Sequence, residues 1–113
     1  MLKKENRICK RTDFLNVKEK GRIYQSPFFG LIYLKNDIDK NQFGFIISKR
    51  ISKRAVDRNR IKRYLSESVK RHGLENGMGW KMVFLTKREI LLKSFMEVDN
   101  EVIRVFSQLK LND

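Results

Sequence analysis

Ten basic residues and two acids share the 25 positions from Ser48 to His72, a local excess of eight in a chain whose net charge is +13. The bases are Lys49, Arg50, Lys53, Arg54, Arg58, Arg60, Lys62, Arg63, Lys70 and Arg71, facing only Asp57 and Glu67. Like charges at this density repel one another, and the field they create calls for a dense polyanion, with nucleic acid the first candidate. Asn59 stands between Arg58 and Arg60 and adds both a donor and an acceptor, suited to a base edge or a ribose hydroxyl. Arginine's planar fork can grip a phosphate in two places or stack on a base.

Side chains for bond-breaking are few. His72 is the single histidine and Cys9 the single cysteine, so neither a set of ligands at metal-binding spacing nor an internal disulfide can be drawn from them. His72 at the end of a basic helix reads as a solvated or dipole-facing histidine, and Cys9 as incidental. Residues 37–48 open like a calcium loop, but Gln42 replaces the glycine at the sixth position and Ser48 the glutamate at the twelfth. That stretch reads instead as a polar hairpin turn. The acids Asp13, Asp37, Asp39 and Asp99 are scattered, against the clustered carboxylates of a metal-dependent nuclease.

The elements that must position the basic residues follow from periodicity. Residues 1–11 form a basic arm. Thr12 can cap a helix through residue 20 that Gly21 ends. A short strand over 22–25 is followed by strands over 28–34 and 42–48, joined by the 36–41 turn. In the last of these, Phe43, Phe45 and Ile47 face one way, and Gly44, Ile46 and Ser48 make a slimmer opposite face. Ile61, Tyr64, Leu65, Ser68 and Val69 mark the buried stripe of a helix over 54–71. On that helix Asn59, Arg63 and Lys70 point away, Arg60 and Lys62 flank the stripe, and Arg58 lies near its edge. A glycine-rich loop over 73–79, a strand over 80–86 and a helix over 92–109 complete the chain, with Trp80, Phe95 and Phe106 expected in the core. The expectation is one α+β domain with a mixed sheet. Aromatic content of 11% argues against a disordered basic tail. A lone cysteine, and no apolar run of the ~20 residues a bilayer requires, point to a cytoplasmic protein with no membrane partner.

The stretch SKRAVDRNRIKRYL (residues 52–65) resembles the signature of the bacterial ribonuclease P protein component, with Arg58-Asn59-Arg60 matching its Arg-Asn-Arg motif. NRICKRTDF (6–14) is similar to that family's arm and first helix, and FGFIISKRISKRAV (43–56) to its central strand and crossover. The resemblance implies a single domain over residues 1–113, an α/β sandwich of αβββαβα order with a left-handed crossover into the basic helix. Within it, 1–11 is the arm and 48–72 the RNA-binding crossover and helix. It implies a non-catalytic protein subunit of an endoribonuclease, monomeric alone. The catalytic RNA, with Mg2+ that it mainly holds, hydrolyses a phosphodiester to remove the 5′ leader of precursor tRNA. Lys53, Arg54, Arg58, Asn59, Arg60, Lys62 and Arg63 are implied to dock on the catalytic RNA. Phe14, Lys18, Ile46, Ser48, Lys49 and Arg50 are implied to hold the leader, Phe14 by stacking on a base. The sequence departs from the family pattern at Ser66, where a base is usual, at Lys18, where a second aromatic is expected, and at Ile32, where a tyrosine is common. Rival readings are a ribosomal RNA-binding protein, a helix-turn-helix DNA binder and a protein-only nuclease.

Overall fold

A computed structural model describes residues 2–73 and 79–109. The elements are α1 (Arg11–Lys20), β1 (Arg22–Gln25), β2 (Phe29–Lys35), β3 (Gln42–Ile46), α2 (Ala55–His72), β4 (Trp80–Thr86) and α3 (Phe95–Leu109). Short 3-10 turns at Lys4–Asn6 and Arg88–Leu92 precede α1 and α3. Most of the loop expected over 73–79 lies outside the described residues.

One four-stranded sheet runs in the order β1-β2-β4-β3. β1 and β4 are antiparallel to β2, while β3 and β4 are parallel. The expected hairpin between β2 and β3 is therefore wrong: β4 lies between them. The polar 36–41 stretch spans the end of β4 rather than closing a turn. Asn36 N–H donates to the Gly79 carbonyl at 2.6 Å, the Asn36 side chain donates to the Lys40 carbonyl, and buried Asn41 accepts from Trp80 N–H at 3.0 Å. The same asparagine donates to the Gly73 carbonyl, so one side chain fastens the end of α2 to the start of β4. β3 is left at the sheet edge, and its alternation decides what that edge offers.

Side chains alternate across the sheet, so each face packs a different layer. Phe29, Leu31, Phe43, Met82 and Phe84 join Ile61, Leu65 and Val69 of α2 and Val98, Val102, Val105 and Phe106 of α3 in the main core. On the other face Ile32 and Val83 pack with Val17 of α1 and Ile8 of the arm. Phe43 and Phe45 thus lie on the α2 side, and Ile46 on the α1 side, as the alternation predicts. Ile32 and Tyr33 likewise part company, the tyrosine turning to an edge contact with Trp80 at 6.0 Å.

Three local expectations change. Thr12 does not cap α1: the helix starts at Arg11, because Asp13 and Phe14 N–H donate to the Lys10 carbonyl. α3 begins at Phe95 behind a capping box, in which Ser94 Oγ accepts from Glu97 N–H and Glu97 Oε1 accepts from Ser94 N–H, both at 3.2 Å. Phe95 is half-exposed and packs on Tyr64 of α2, so it does not share the core with Phe106.

Candidate RNA interface

α1 crosses the sheet with Phe14 in its first turn lying over Gly44 of β3. A Cβ at Gly44 would stand 2.4 Å from the Phe14 ring, so the slim face of β3 is what admits the aromatic. Lys81 Nζ to Asp13 Oδ1, at 3.4 Å, helps hold α1 on β4. The arm closes the third side: Ile8 N–H donates to the Phe43 carbonyl at 3.0 Å, and Arg7 bridges to Phe43 in parallel.

The result is a cleft wrapped around the edge strand. Its outer part, about 480 Å³, is lined by Cys9, Arg11, Phe14, Phe45, Ile46 and Ile47. Its inner part, about 310 Å³, shares Cys9, Phe14 and Phe45 and runs on to Gly44, Lys62 and Ser66. Of the residues expected to hold a leader, Phe14 and Ile46 line this cleft. Ser48, Lys49 and Arg50 follow β3 in an exposed turn, pinned by the Ile51 N–H bond to the Ser48 carbonyl and by Arg88 donating to the Arg50 carbonyl. Lys18 is exposed and lines neither part of the cleft. Ser66 is buried at the cleft's inner end, so the position where a base is usual opens onto this space.

Residues 48–54 approach α2 through a knot centred on Ser52. Ser52 Oγ donates to Asp57 Oδ2 at 2.9 Å and accepts from Arg54 N–H, while the Ser52 carbonyl accepts from Arg58 Nη1 at 2.8 Å. Arg60 turns the other way: its Nη2 donates to the Leu91 carbonyl at 2.7 Å, and Nη1 lies 3.9 Å from Asp57. Both arginines of the triplet therefore spend donors inside the protein, bracing the crossover and the turn before α3. Asn59 between them is exposed, and so are Lys53, Arg54, Lys62 and Arg63. Among the described residues Lys53, Lys62, Arg63 and Lys70 make no ion pair, whereas Arg54 has Asp57 at 3.8 Å and Arg71 has Glu67 at 3.4 Å. Lys62 reaches the inner cleft, so the face of α2 and the cleft form one continuous surface.

Sequence reasoning missed Ser52 and Asp57 as organisers and Arg7, Cys9, Arg11 and Phe45 as cleft walls. The acid nearest the basic cluster was the available signal for the first pair. His72 Nε2 lies 3.0 Å from Asp99 Oδ1, which also accepts from Ser68 Oγ at 2.7 Å. That cluster ties α2 to α3, on the far side of the sheet from α1. Among the described residues, no three His, Cys, Asp or Glu side chains gather where they could hold a metal ion, and no helix is long and apolar enough to cross a membrane.

A mixed α+β sandwich, with a cationic helix beside an aromatic-lined edge cleft, defines the class of small basic single-domain protein to which this chain belongs. The family model for ribonuclease P matches residues 2–110, and the chain belongs to the family of ribonuclease P protein components. It is 31% identical over 110 residues to the ribonuclease P protein component of Dehalococcoides mccartyi strain CBDB1, covering 97% of this chain and 89% of that one. The component from Syntrophomonas wolfei is 33% identical over 111 residues, covering 98% and 92%. Among solved structures, the Staphylococcus aureus RNase P protein superposes with a TM-score of 0.86 at 25% identity, covering 96% of this chain and 98% of that one. The Thermotoga maritima RNase P protein shares the fold, with a TM-score of 0.80 at 21% identity over 90% of this chain and 96% of that one.

Proposed function

We propose that this chain is the protein subunit of a cytoplasmic ribonuclease P, binding the catalytic RNA and the single-stranded 5′ leader of precursor tRNA together. The continuity of the α2 face with the edge cleft through Lys62 carries the reading, because one surface can then hold both RNAs. Lys53, Arg54, Asn59, Lys62 and Arg63 face outward to meet the catalytic RNA, while Arg58 and Arg60 hold the crossover in the shape that presents them. The leader passes Phe14 and Ile46 toward Lys49 and Arg50, where stacking and phosphate contacts need no particular sequence.

Hydrolysis of the phosphodiester falls to the catalytic RNA and the Mg2+ it holds. The described side chains do not fit a resident magnesium site, since their carboxylates are dispersed and mostly paired with cations. The protein's part is affinity and positioning, which lower the magnesium concentration at which the particle assembles on substrate.

Reconstitution tests this reading. The purified chain is mixed with a bacterial ribonuclease P catalytic RNA at low magnesium, and removal of the 5′ leader is followed. Stimulation over RNA alone, with no cleavage by the chain alone, is the expected outcome. Unaided cleavage by the protein, or no effect on the RNA, overturns it.

A further inference from the structure

A second aromatic feature lies on the opposite side of the sheet, where α2 meets α3. Tyr64 and Phe95 pack edge to face with ring centroids 5.6 Å apart, and both rings are half-exposed. The Arg71 guanidinium sits 5.0 Å from the centre of the Phe95 ring. Arg63, Tyr64, Glu67, Arg71 and Phe95 enclose an open notch of about 350 Å³. The volume lies at the small end of ligand sites.

The chemistry of the notch is that of a nucleotide. Aromatic faces and a guanidinium plane both stack on bases. Glu67 holds Arg71 Nε through Oε1 at 3.4 Å and can accept a hydrogen bond from an exocyclic amino group. Its negative charge also turns a phosphate away toward exposed Arg63, which makes no ion pair among the described residues. A peptide partner would gain little here, because the notch has only two rings of apolar floor between charged walls. Arg63 belongs equally to the outward face of α2, so the notch continues the surface already assigned to the catalytic RNA.

We infer that the α2–α3 notch binds one unpaired nucleotide of the catalytic RNA, its base stacked on the pair that Arg71 makes with Phe95, the Tyr64 ring, turned 68° from Phe95, meeting its edge, and its phosphate on Arg63. The inference rests on the proposed function for the identity of the RNA. It adds a base-reading contact remote from the leader cleft. Glu67 favours adenine, cytosine or guanine over uracil, which has no exocyclic amine.

The test compares wild type and Phe95→Leu binding to a bacterial ribonuclease P catalytic RNA across a salt series, with melting temperature measured in parallel. The leucine retains apolar bulk but removes the stacking face. Affinity should fall about tenfold with the salt slope unchanged, since a stacked base releases no counterions. Arg63→Gln should instead lower the slope by about one. Wild-type affinity in folded Phe95→Leu overturns the notch while leaving the proposed function intact. Failure of the wild type to bind that RNA overturns both. If Phe95→Leu does not fold, NMR titration of the wild type with AMP and UMP decides. Upfield shifts of the Phe95 ring protons, larger with AMP, support the site, and their absence overturns it.

Discussion

Replacing Gly44 with alanine tests how the aromatic cleft is built. The new Cβ would lie 2.4 Å from Phe14 Cε1 and 2.7 Å from Cζ, against the ~3.5–4.0 Å at which carbon atoms pack. The Phe14 ring must retreat by about an ångström or rotate out of the cleft. Because that ring is half-exposed on α1, it can swing, and the cost belongs at the lower end of the overpacking range, about 1–2 kcal/mol. For a domain of this size that is a fall in melting temperature of roughly 4–8 °C. In a Phe14→Ala background the clash disappears, and Gly44→Ala should then be neutral or stabilising by a few tenths of a kcal/mol. Thermal melts of the wild type, the two single variants and the double variant therefore give a coupling of about 1–2 kcal/mol. Binding assays on the assembled particle add the functional half. Both single variants should weaken precursor tRNA more than mature tRNA, because only the precursor carries the leader that the ring is proposed to meet. An equal cost of Gly44→Ala with and without the Phe14 ring would refute the steric account, and equal losses for precursor and mature tRNA would refute the leader assignment.

Arg60→Ala and Lys62→Ala should separate bracing from RNA contact. Loss of the Arg60 bond to the Leu91 carbonyl lowers stability by about 1–3 kcal/mol, read by denaturant titration, with little change in the salt slope of RNA binding. Lys62→Ala should leave stability unchanged and lower that slope by about one; the reverse pattern would place Arg60 on the RNA instead. Glu101 is held below the usual glutamate value of 4.5, first by its hydrogen bond to Arg104 and then by Ser26, against the opposing effect of burial. A depressed carboxylate stabilises the fold above its unfolded pKa and loses that contribution as pH falls through the folded value. Glu101→Gln should therefore flatten the loss of stability below about pH 4.5, and an unchanged acid limb would show that the Ser26–Glu101–Arg104 link is not formed in solution. Cys9 is exposed on the cleft wall, so a single-stranded leader oligonucleotide should slow its alkylation. An unaltered rate would move the leader path away from the arm.

The elements were largely legible in the sequence because they rest on local periodicity. The slim face of β3 and the stripe of Ile61, Leu65 and Val69 on α2 are read from spacing alone and appear in the packing. What escaped depends on partners distant along the chain. A hairpin between β2 and β3 is the natural reading of two strands with a short polar connection, yet β4, made almost forty residues later, enters between them. Phe95 has the right spacing for the core face of α3, but its packing is set by Tyr64 of another helix. The Ser94–Glu97 capping box is itself a local signal, and it sets the start of α3 at Phe95 rather than at Leu92.

The candidate site divides along the same line. Residue types identify a surface rich in cations, whereas the direction of each guanidinium depends on acceptors such as the Leu91 carbonyl, 31 residues away. Arg58 and Arg60 bind two backbone carbonyls on either side of α2, and Asp57 touches the groups of both braces. A loop of like charges left free would have to be ordered on binding, at a cost in side-chain and backbone entropy that weakens the complex. Here that ordering is paid during folding. Cations supply attraction whatever their arrangement; the braces supply a fixed spacing among Lys53, Asn59, Lys62 and Arg63, and a fixed spacing is what lets a polyanion of one shape be preferred over another. One acid stands among so many bases at the head of α2 because without Asp57, Ser52 and Arg60 would each lose a partner, and the surface would keep its charge but not its shape.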